Sequence, residues 1–180
     1  MVTIEMHTVP TLCGKCIVLR ALCEADRAVV ESDRDPDFLR LVGTNAQDLE
    51  AVATHGFEQL LADPLCWAVT LDSRCIGTAF LHSLVKSDKR ARYAIGIFEP
   101  RDWGKGLGTE ATRLVLDYAF FQMNLHRVDV RVLEYNQRAI RYYEKCGFVR
   151  ERIERESAWV NGRWHNDLII AILEHEHGKI

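Results

Sequence analysis

The sequence lacks the features that mark a membrane-spanning, secreted or nucleic-acid-binding protein. None of its apolar runs approaches the roughly 18 residues that a membrane-spanning helix requires, and Met1 to Pro10 lacks the basic-then-apolar pattern of a secretory signal. The net charge is −3, whereas a protein that binds nucleic acid needs a basic surface to meet the phosphates. We therefore predict a cytoplasmic protein with no membrane partner and no nucleic-acid partner.

Repeats, low-complexity tracts and Gly/Ser-rich linkers are also missing, so no boundary divides the chain. Its 180 residues are enough for one domain with a substantial hydrophobic core. Apolar residues make up 48% of the sequence and charged residues 27%, which is the balance of an ordinary globular protein. The sequence predicts a single domain over residues 1–180.

The six cysteines do not form a recognisable metal-binding set. Cys13 and Cys16 make one Cys-x-x-Cys pair, which is half of a zinc site or a redox motif. No second pair and no paired-histidine motif completes the ligands. The pair also leads into a strand-like run, Ile17 to Leu19, whereas a redox pair is expected to open a helix. We therefore predict reduced cysteines that act as small buried residues, and no metal.

Apolar periodicity predicts a sheet in which strands and helices follow each other irregularly. Short β-rich runs bounded by turn residues predict strands, and Asn161-Gly162 predicts a two-residue hairpin turn. Apolar residues at helical spacing predict helices, the clearest from Gly106 to about Gln122. The predicted strands are 16–21, 66–71, 75–85, 91–98, 127–132 and the two long strands of the closing hairpin; the predicted helices are a short one after 24, then 46–61, 106–122 and 137–145. This order predicts a mixed α/β or α+β sheet and not a regular βαβ alternation.

A glycine-rich segment, Trp103 to Thr109 (Trp-Gly-Lys-Gly-Leu-Gly-Thr), lies between a predicted strand and a strongly amphipathic helix. Glycines allow successive backbone N–H groups to point into one concavity, and the helix N-terminus adds its unpaired N–H groups. The spacing predicts a phosphate or pyrophosphate site, the alternative being a turn that only caps the helix. The segment does not match the dinucleotide-binding motif, because Thr109 or Ala111 stands where that motif needs its third glycine. It does not match the nucleotide-hydrolase loop either, because Lys105 is followed by glycine and not by Ser or Thr.

The residues around this loop resemble a known family. Glu99 to Ala111 is similar to the acetyl-CoA signature of GNAT acetyltransferases, in their RimJ/RimL-type branch. Asn124 to Arg150 is similar to the family's second signature, and the likeness extends to Gly14 to Asp26 and to Val160 to Leu173. The second signature is carried by Asn-Leu-His-Arg-Val at 124–128, Glu-Tyr-Asn at 134–136 and Ala-Ile-Arg-Tyr-Tyr-Glu-Lys-Cys-Gly-Phe at 139–148.

The resemblance implies the GNAT acyl-CoA N-acyltransferase fold, a twisted mixed sheet of about seven strands flanked by about four helices. The sheet would splay open after its fourth and fifth strands and hold coenzyme A in the split. The strand Ala94 to Phe98 would then offer backbone groups to the pantetheine amides, as an added strand would. The cofactor-binding residues that the resemblance implies are Ile97, Phe98, Trp103, Gly104, Lys105, Gly106, Leu107, Gly108, Thr109, Asn136 and Arg141. Trp103 stands where the wider superfamily usually has Gln or Arg.

The resemblance also implies transfer of an acetyl group from acetyl-CoA to a primary amine by direct attack in a ternary complex. Tyr143 aligns with the tyrosine that family members place near the coenzyme sulfur, so it is the candidate general acid; the alternative is a tyrosine packed on the sheet. Tyr142 lies about 100° around the helix and is not expected to replace it. Asn136, two turns before Tyr143, either contacts the cofactor, caps the helix, or does both. Arg138, Arg141 and Lys145 either meet the adenosine 3′-phosphate or are solvated.

The general base cannot be carried over from the family. Many relatives have a glutamate on the fourth strand, and Ala94 stands near that place here. His82, at the end of the third strand, and Glu156, on the penultimate strand, are the candidates; either could instead be an ordinary surface or structural residue. The missing glutamate slightly favours a non-catalytic CoA-binding sensor or interaction module, and Tyr143 and Asn136 argue against it.

The acceptor amine is open at this stage. The RimJ/RimL-type likeness favours the α-amino group of a protein or peptide, and a small amine such as a polyamine, an aminoglycoside or another antibiotic is the alternative. An acidic cleft would favour a polyamine or an aminoglycoside. The candidates for it are Asp33, Asp35, Asp37 and Glu50, the alternative being a solvated acidic surface. Trp159 and Trp164 are expected to face each other across the hairpin, where they could wall the acceptor site, form a homodimer contact or only pack.

Overall fold

The computed structural model describes residues 9–32 and 56–178. Residues 46–55 of the predicted helix 46–61 and the acidic candidates Asp33, Asp35, Asp37 and Glu50 lie outside these described residues. Residues 56–62 are helical, as predicted. In the described ranges, no helix is both long enough and apolar enough to cross a membrane.

The described residues contain eight strands, which form one sheet in the order β1-β2-β3-β4-β5-β6-β8-β7. Neighbouring strands run antiparallel, except β5 and β6, which run parallel. The strands are β1 Leu12–Cys13, β2 Ile17–Ala21, β3 Cys66–Leu71, β4 Arg74–Val85, β5 Arg90–Ile97, β6 Arg127–Leu133, β7 Val149–Val160 and β8 Arg163–Leu173. This confirms the predicted mixed α+β fold. The strand that the prediction missed is β1, which is too short to show a period of two.

Four helical segments flank the sheet in the described part of the chain. They are α1 Arg27–Val30, α2 at 56–62, α3 Leu107–Asp117 and α4 Gln137–Lys145, and α3 continues as a π-helical turn, Tyr118–Gln122. The bounds of α4 are those predicted, because Asn136 caps its start and Gly147, at φ +93, ends it.

The two faces of the sheet bury separate clusters of apolar side chains. On one face, α3 and α4 contribute Val115 and Ile140 to the larger cluster. On the other face, Phe57 of α2 packs with Cys66 and Phe98 in the smaller cluster. We call these the α3–α4 face and the α2 face.

The sheet divides between its two parallel strands. β5 and β6 are in register only at Arg90↔Arg127, Ala91↔Val128 and Arg92↔Asp129, after which the pairing stops. At this last pair the Arg92 Nε donates to Asp129 Oδ1 over 2.8 Å, and the Asp129 side chain is only 7% exposed. Beyond this pair, residues 93–97 of β5 diverge from β6, and we call the V-shaped opening between the two strands the fork. The ion pair therefore lies at the vertex of the fork.

The prediction that the cysteines are small buried residues holds for only half of them. All six are free, and Cys66, Cys75 and Cys146 are buried. Cys13, Cys16 and Cys23 are exposed, so for these the prediction was wrong. For Cys13 and Cys16 the reason is topological, since β1 and the turn to β2 lie at an edge of the sheet, and Cys23 lies in the segment that follows β2.

Candidate active site

A cavity of about 480 Å³ lies beside the open end of the fork. Its walls come from the end of β5, the glycine-rich segment with the start of α3, and one side of α4. The residues that line it are Ile95, Gly96, Ile97, Asp102, Trp103, Gly104, Gly106, Leu107, Gly108, Thr109, Asn136, Arg138, Ala139, Arg141, Tyr142 and Lys145. Nine of the eleven residues predicted to bind the cofactor thus line this cavity.

The glycine-rich segment turns sharply into α3. Gly104 and Gly106 have φ values of +75 and +82, in the left-handed region, and Gly106 is the N-cap of α3. Leu107, Gly108 and Thr109 form the first turn, whose N–H groups have no acceptor within the helix. The positive end of the helix therefore lies at the cavity wall, which suits a bound anion.

Basic side chains of α4 add positive charge across from this turn. Arg138, Arg141 and Lys145 line the cavity at helical spacing. The guanidinium of Arg138 lies 3.9 Å from the centre of the Trp103 ring, and burial lowers the pKa of Arg138. The Trp103 indole in turn donates its Nε1–H to the Ile97 carbonyl over 2.7 Å. The indole therefore holds one of the backbone acceptors that the resemblance assigned to pantetheine.

Two predicted cofactor residues lie outside the cavity wall. The Lys105 Nζ is 3.4 Å from Asp102 Oδ1, and its side chain is 54% exposed. Phe98 is buried in the cluster on the α2 face, and its N–H donates to the Ile76 carbonyl over 2.9 Å. Lys105 thus contacts the loop's own carboxylate, and Phe98 supports the strand from the opposite face.

Asp102 anchors the loop. Its side chain is 2% exposed and accepts a hydrogen bond from Arg74 over 3.0 Å, besides the contact with Lys105. Burial opposes ionisation, but the hydrogen bond from Arg74 and the nearby charges lower the pKa of Asp102 below its usual value. The carboxylate therefore stays charged. Sequence reasoning missed this residue, because its partner is far away in the chain.

Asn136 caps α4 and also lines the cavity. Its Oδ1 accepts the Ala139 N–H over 3.0 Å, so it caps α4. The residue is also 8% exposed and lines the cavity. The cap is confirmed, and the contact with the cofactor stays a prediction.

The two adjacent tyrosines of α4 have different surroundings. Tyr143 is 7% exposed, does not line the cavity, and packs its ring against Tyr93 and Phe148 at 6.5 and 5.4 Å between ring centres. Tyr142 lines the cavity, because it shares the face of α4 with Arg138 and Lys145. Burial raises the pKa of both phenols, so both are protonated near neutral pH.

The Tyr142 hydroxyl belongs to a chain of hydrogen bonds that sequence reasoning did not find. It donates to the Gly108 carbonyl over 2.7 Å and is hydrogen-bonded to Thr112 Oγ1. That oxygen lies 3.0 Å from the hydroxyl of Tyr93, a buried residue of β5 just beyond the vertex of the fork. The chain connects the fork to the glycine-rich segment. The helical spacing of Arg138, Tyr142 and Lys145 was the signal that could have placed Tyr142 in the wall.

Neither candidate base lines the cavity. His82 is half-buried, faces Arg92 in the β4–β5 register, and contacts the ring of Phe80. Burial and then the charge of Arg92 lower the pKa of His82 below 6.5, so its imidazole is neutral at pH 7. Glu156 is exposed at a bulge of β7, with a left-handed φ of +49.

Metal ligands do not assemble in the part of the chain that the structure describes: no three His, Cys, Asp or Glu side chains are placed to share an ion. The cavity instead combines backbone N–H groups, a helix N-terminus and basic side chains. This is the chemistry of a site for a phosphate-bearing ligand.

A splayed sheet with an anion site beside the split is the arrangement of an acyltransferase fold. Such a fold binds an acyl carrier that bears phosphate groups. The profile of the acetyltransferase (GNAT) domain matches residues 17–149. The chain therefore belongs to the GNAT acetyltransferase family, whose members use acetyl-CoA.

Named relatives agree with this family. The chain is 37% identical over 102 residues to the probable N-acetyltransferase YjcK of Bacillus subtilis (strain 168), which covers 57% of this chain and 56% of that protein. It is 32% identical over 111 residues to the spermidine N(1)-acetyltransferase of Escherichia coli (strain K12), which covers 62% and 59%. The match therefore spans less than two thirds of the length of either relative.

A solved structure supports the fold. The spermidine N-acetyltransferase of Vibrio cholerae, in complex with CoA and spermine, superposes with a TM-score of 0.74 at 24% identity, over 89% of this chain and 97% of that one. At this identity the likeness concerns the fold alone.

Proposed function

We propose that this chain, as one domain in the cytoplasm, transfers an acetyl group from acetyl-CoA to a primary amine. The observation that carries the proposal is the cavity, which places the N-terminus of α3, the basic side of α4 and the end of β5 around one space. The first turn of α3 would hold the pyrophosphate, and Asn136 would contact the pantetheine. Arg138, Arg141 and Lys145 would meet the remaining phosphate. The bound thioester supplies the activated acetyl group.

The protein positions the amine and the thioester and transfers protons between them. Holding the amine and the thioester carbon face to face accounts for most of the acceleration. As the new C–N bond forms and the C–S bond breaks, the amine loses a proton and the thiolate gains one. Tyr143 is our candidate to give the proton to the sulfur. Burial raises its pKa, so the phenol is protonated near neutral pH, and its ring lies behind the cavity wall, next to Tyr142. His82 is our first candidate to accept the proton of the amine, and Glu156 is the second.

The acceptor that we propose first is the α-amino group of a protein or peptide, because the two signatures resemble the RimJ/RimL-type branch. The similarity to spermidine acetyltransferases supports a polyamine as the second candidate. Other small amines, such as aminoglycosides, rank behind these two. A chain that only senses CoA would bind the ester and turn over none of them.

Titration calorimetry with acetyl-CoA, a longer acyl-CoA and ATP tests the cofactor. We expect stoichiometric binding of acetyl-CoA and no response to ATP. An acceptor screen then compares short peptides with a free N-terminus, the same peptides N-terminally blocked, spermidine and an aminoglycoside. Products are followed by mass spectrometry, because the exposed Cys13, Cys16 and Cys23 would react with a thiol reagent. Failure of every CoA ester to bind the folded protein would overturn the proposal.

The pH dependence of the rate tests His82. If its imidazole accepts the proton, kcat/KM falls as the pH drops through the lowered pKa of His82, below 6.5, because the protonated ring cannot act as a base. The change His82→Asn should remove this acidic limb and lower kcat/KM at pH 7 by roughly 100-fold. A limb that persists in His82→Asn and disappears in Glu156→Gln would assign the base to Glu156.

A further inference from the structure

Within residues 9–32 and 56–178, the outer edge of β7 is the longest edge of the sheet that no other strand covers. β7 (Val149–Val160) is the last strand in the order, so one side of its backbone faces no other strand among the described residues. Open edges of this length pair readily with other chains unless something protects them. Val149, Ile153 and Trp159 are also 55%, 58% and 51% exposed on this strand. An edge with three exposed large apolar side chains has the character of an interaction surface.

The charges along this edge are arranged symmetrically. Residues 150–156 read Arg-Glu-Arg-Ile-Glu-Arg-Glu. The sign of the charge reverses about Ile153: Arg152 mirrors Glu154, and the two outer positions on each side mirror each other in the same way. When two identical strands pair antiparallel about a two-fold axis at Ile153, the residue n places before it faces the residue n places after it. Arg152 then faces Glu154 of the second copy and Glu154 faces Arg152 of the second copy, which is the favourable arrangement for cross-strand pairs. Register shifts beyond residues 152–154 confine this facing to these two positions.

The local geometry suits such a pair at its centre. Arg152, Ile153 and Glu154 are in regular register with β8, opposite Ile169, Leu168 and Asp167, and register shifts lie on either side of this stretch. Arg152 and Glu154 share one face, with Nη2 and Oε1 3.0 Å apart and side chains 56% and 33% exposed. Across the axis, this pair and its copy form a square of alternating charges. Ile153 meets its own copy on the opposite face.

We propose that the outer edge of β7 pairs antiparallel with β7 of a second copy of this chain, about a two-fold axis at Ile153. Backbone hydrogen bonds and the burial of Ile153 supply the affinity, since exposed ion pairs contribute little. The charge order at the axis selects the partner, because the same strand in the reverse direction places Arg152 opposite Glu154 on both sides of Ile153. This inference is independent of the proposed function.

Sedimentation velocity over a range of protein concentrations tests the interface. We expect a dimer for the natural sequence. Arg152→Glu places like charges opposite each other twice per dimer and should raise the dissociation constant roughly tenfold. The double change Arg152→Glu/Glu154→Arg restores alternation with the signs exchanged and should restore the dimer. Lys86→Glu, the same change of charge on the exposed β4–β5 turn, is the matched control and should leave the dimer intact.

Crosslinking at the axis gives a second readout that does not depend on charge. Opposed residues of an antiparallel pair have Cβ atoms about 4.5–5.5 Å apart, so Ile153→Cys should form a disulfide-linked dimer, in a background with Cys13, Cys16 and Cys23 changed to serine. Val149→Cys, on the same strand but away from the axis, should not. A monomer at all concentrations overturns the proposal, and so does a dimer that survives Arg152→Glu without crosslinking through position 153.

Discussion

Gly106→Ala is expected to weaken acetyl-CoA binding roughly tenfold, and Gly104→Ala/Gly106→Ala roughly a hundredfold. Both glycines have left-handed φ values, where an alanine costs about 1–2 kcal/mol. No atom lies within 4 Å of a Cβ added at either position, so the change acts through the backbone and not through a clash. The loop therefore leaves the conformation that directs its N–H groups into the cavity, and the apparent affinity falls with the population of that conformation.

Calorimetry with acetyl-CoA measures this effect, and Gly162→Ala is its matched control. Gly162 has a φ of +78 and equally open surroundings, but it lies in the turn between β7 and β8, outside the cavity wall. Thermal unfolding should show a similar loss of stability for Gly106→Ala and Gly162→Ala, with acetyl-CoA affinity reduced only in the first. Equal stability losses with unchanged affinity in both would mean that the segment only caps α3.

Much of the fold could be predicted because local chemistry marks where elements begin and end. Asn136 and Gly147 fix both ends of α4, and Val128, Val130 and Val132 give β6 its alternation. These signals lie within a few residues of the elements that they define. The prediction of the order of strands and helices needed nothing else.

The features that escaped prediction depend on contacts between distant parts of the chain. Asp102 is held by Arg74, 28 residues earlier, and the Thr112 hydroxyl is hydrogen-bonded to Tyr93 and Tyr142, which are 19 and 30 residues away. The bulges of β7 depend on its register with β8. None of these contacts leaves a periodic pattern in the sequence.

The resemblance to the GNAT family predicted site residues that residue spacing alone could not. It predicted positions that act through the backbone better than positions that act through the side chain. Backbone-mediated positions such as Gly104 and Gly106 carry over well, because a turn of this shape needs glycine in any relative. Side-chain positions carry over less surely. Lys105 and Phe98 lie outside the wall that their neighbours form, because Lys105 contacts Asp102 and Phe98 packs on the α2 face.

Tyr143→Phe is expected to lower kcat roughly 100-fold while the KM for acetyl-CoA changes less than about threefold. Burial raises the pKa of Tyr143 above its usual value, so the phenol is protonated near neutral pH. Phenylalanine keeps the ring packed against Tyr93 and Phe148 and removes only the hydroxyl. The loss should therefore appear in the chemical step, which rapid-quench measurement of a single turnover follows directly.

Tyr142→Phe is the matched control, because it removes the same atom from the next residue of the same helix. It deletes the hydrogen bond to the Gly108 carbonyl and the link to Thr112, both at the start of α3. We therefore expect it to raise the dissociation constant of acetyl-CoA a few-fold, roughly what one lost hydrogen bond contributes, and to leave kcat at saturation near that of the natural enzyme. The two variants should separate binding from chemistry.

The opposite result would place the proton donor elsewhere. If Tyr143→Phe kept its kcat and Tyr142→Phe lost it, the proton would come from the chain of hydroxyls that runs from Tyr93 through Thr112 to Tyr142. Thr112→Val decides between these outcomes, because it interrupts the chain and leaves both tyrosines in place. With Tyr143 as the acid, Thr112→Val behaves like Tyr142→Phe and affects binding alone; with the hydroxyl chain as the donor, it loses kcat as well.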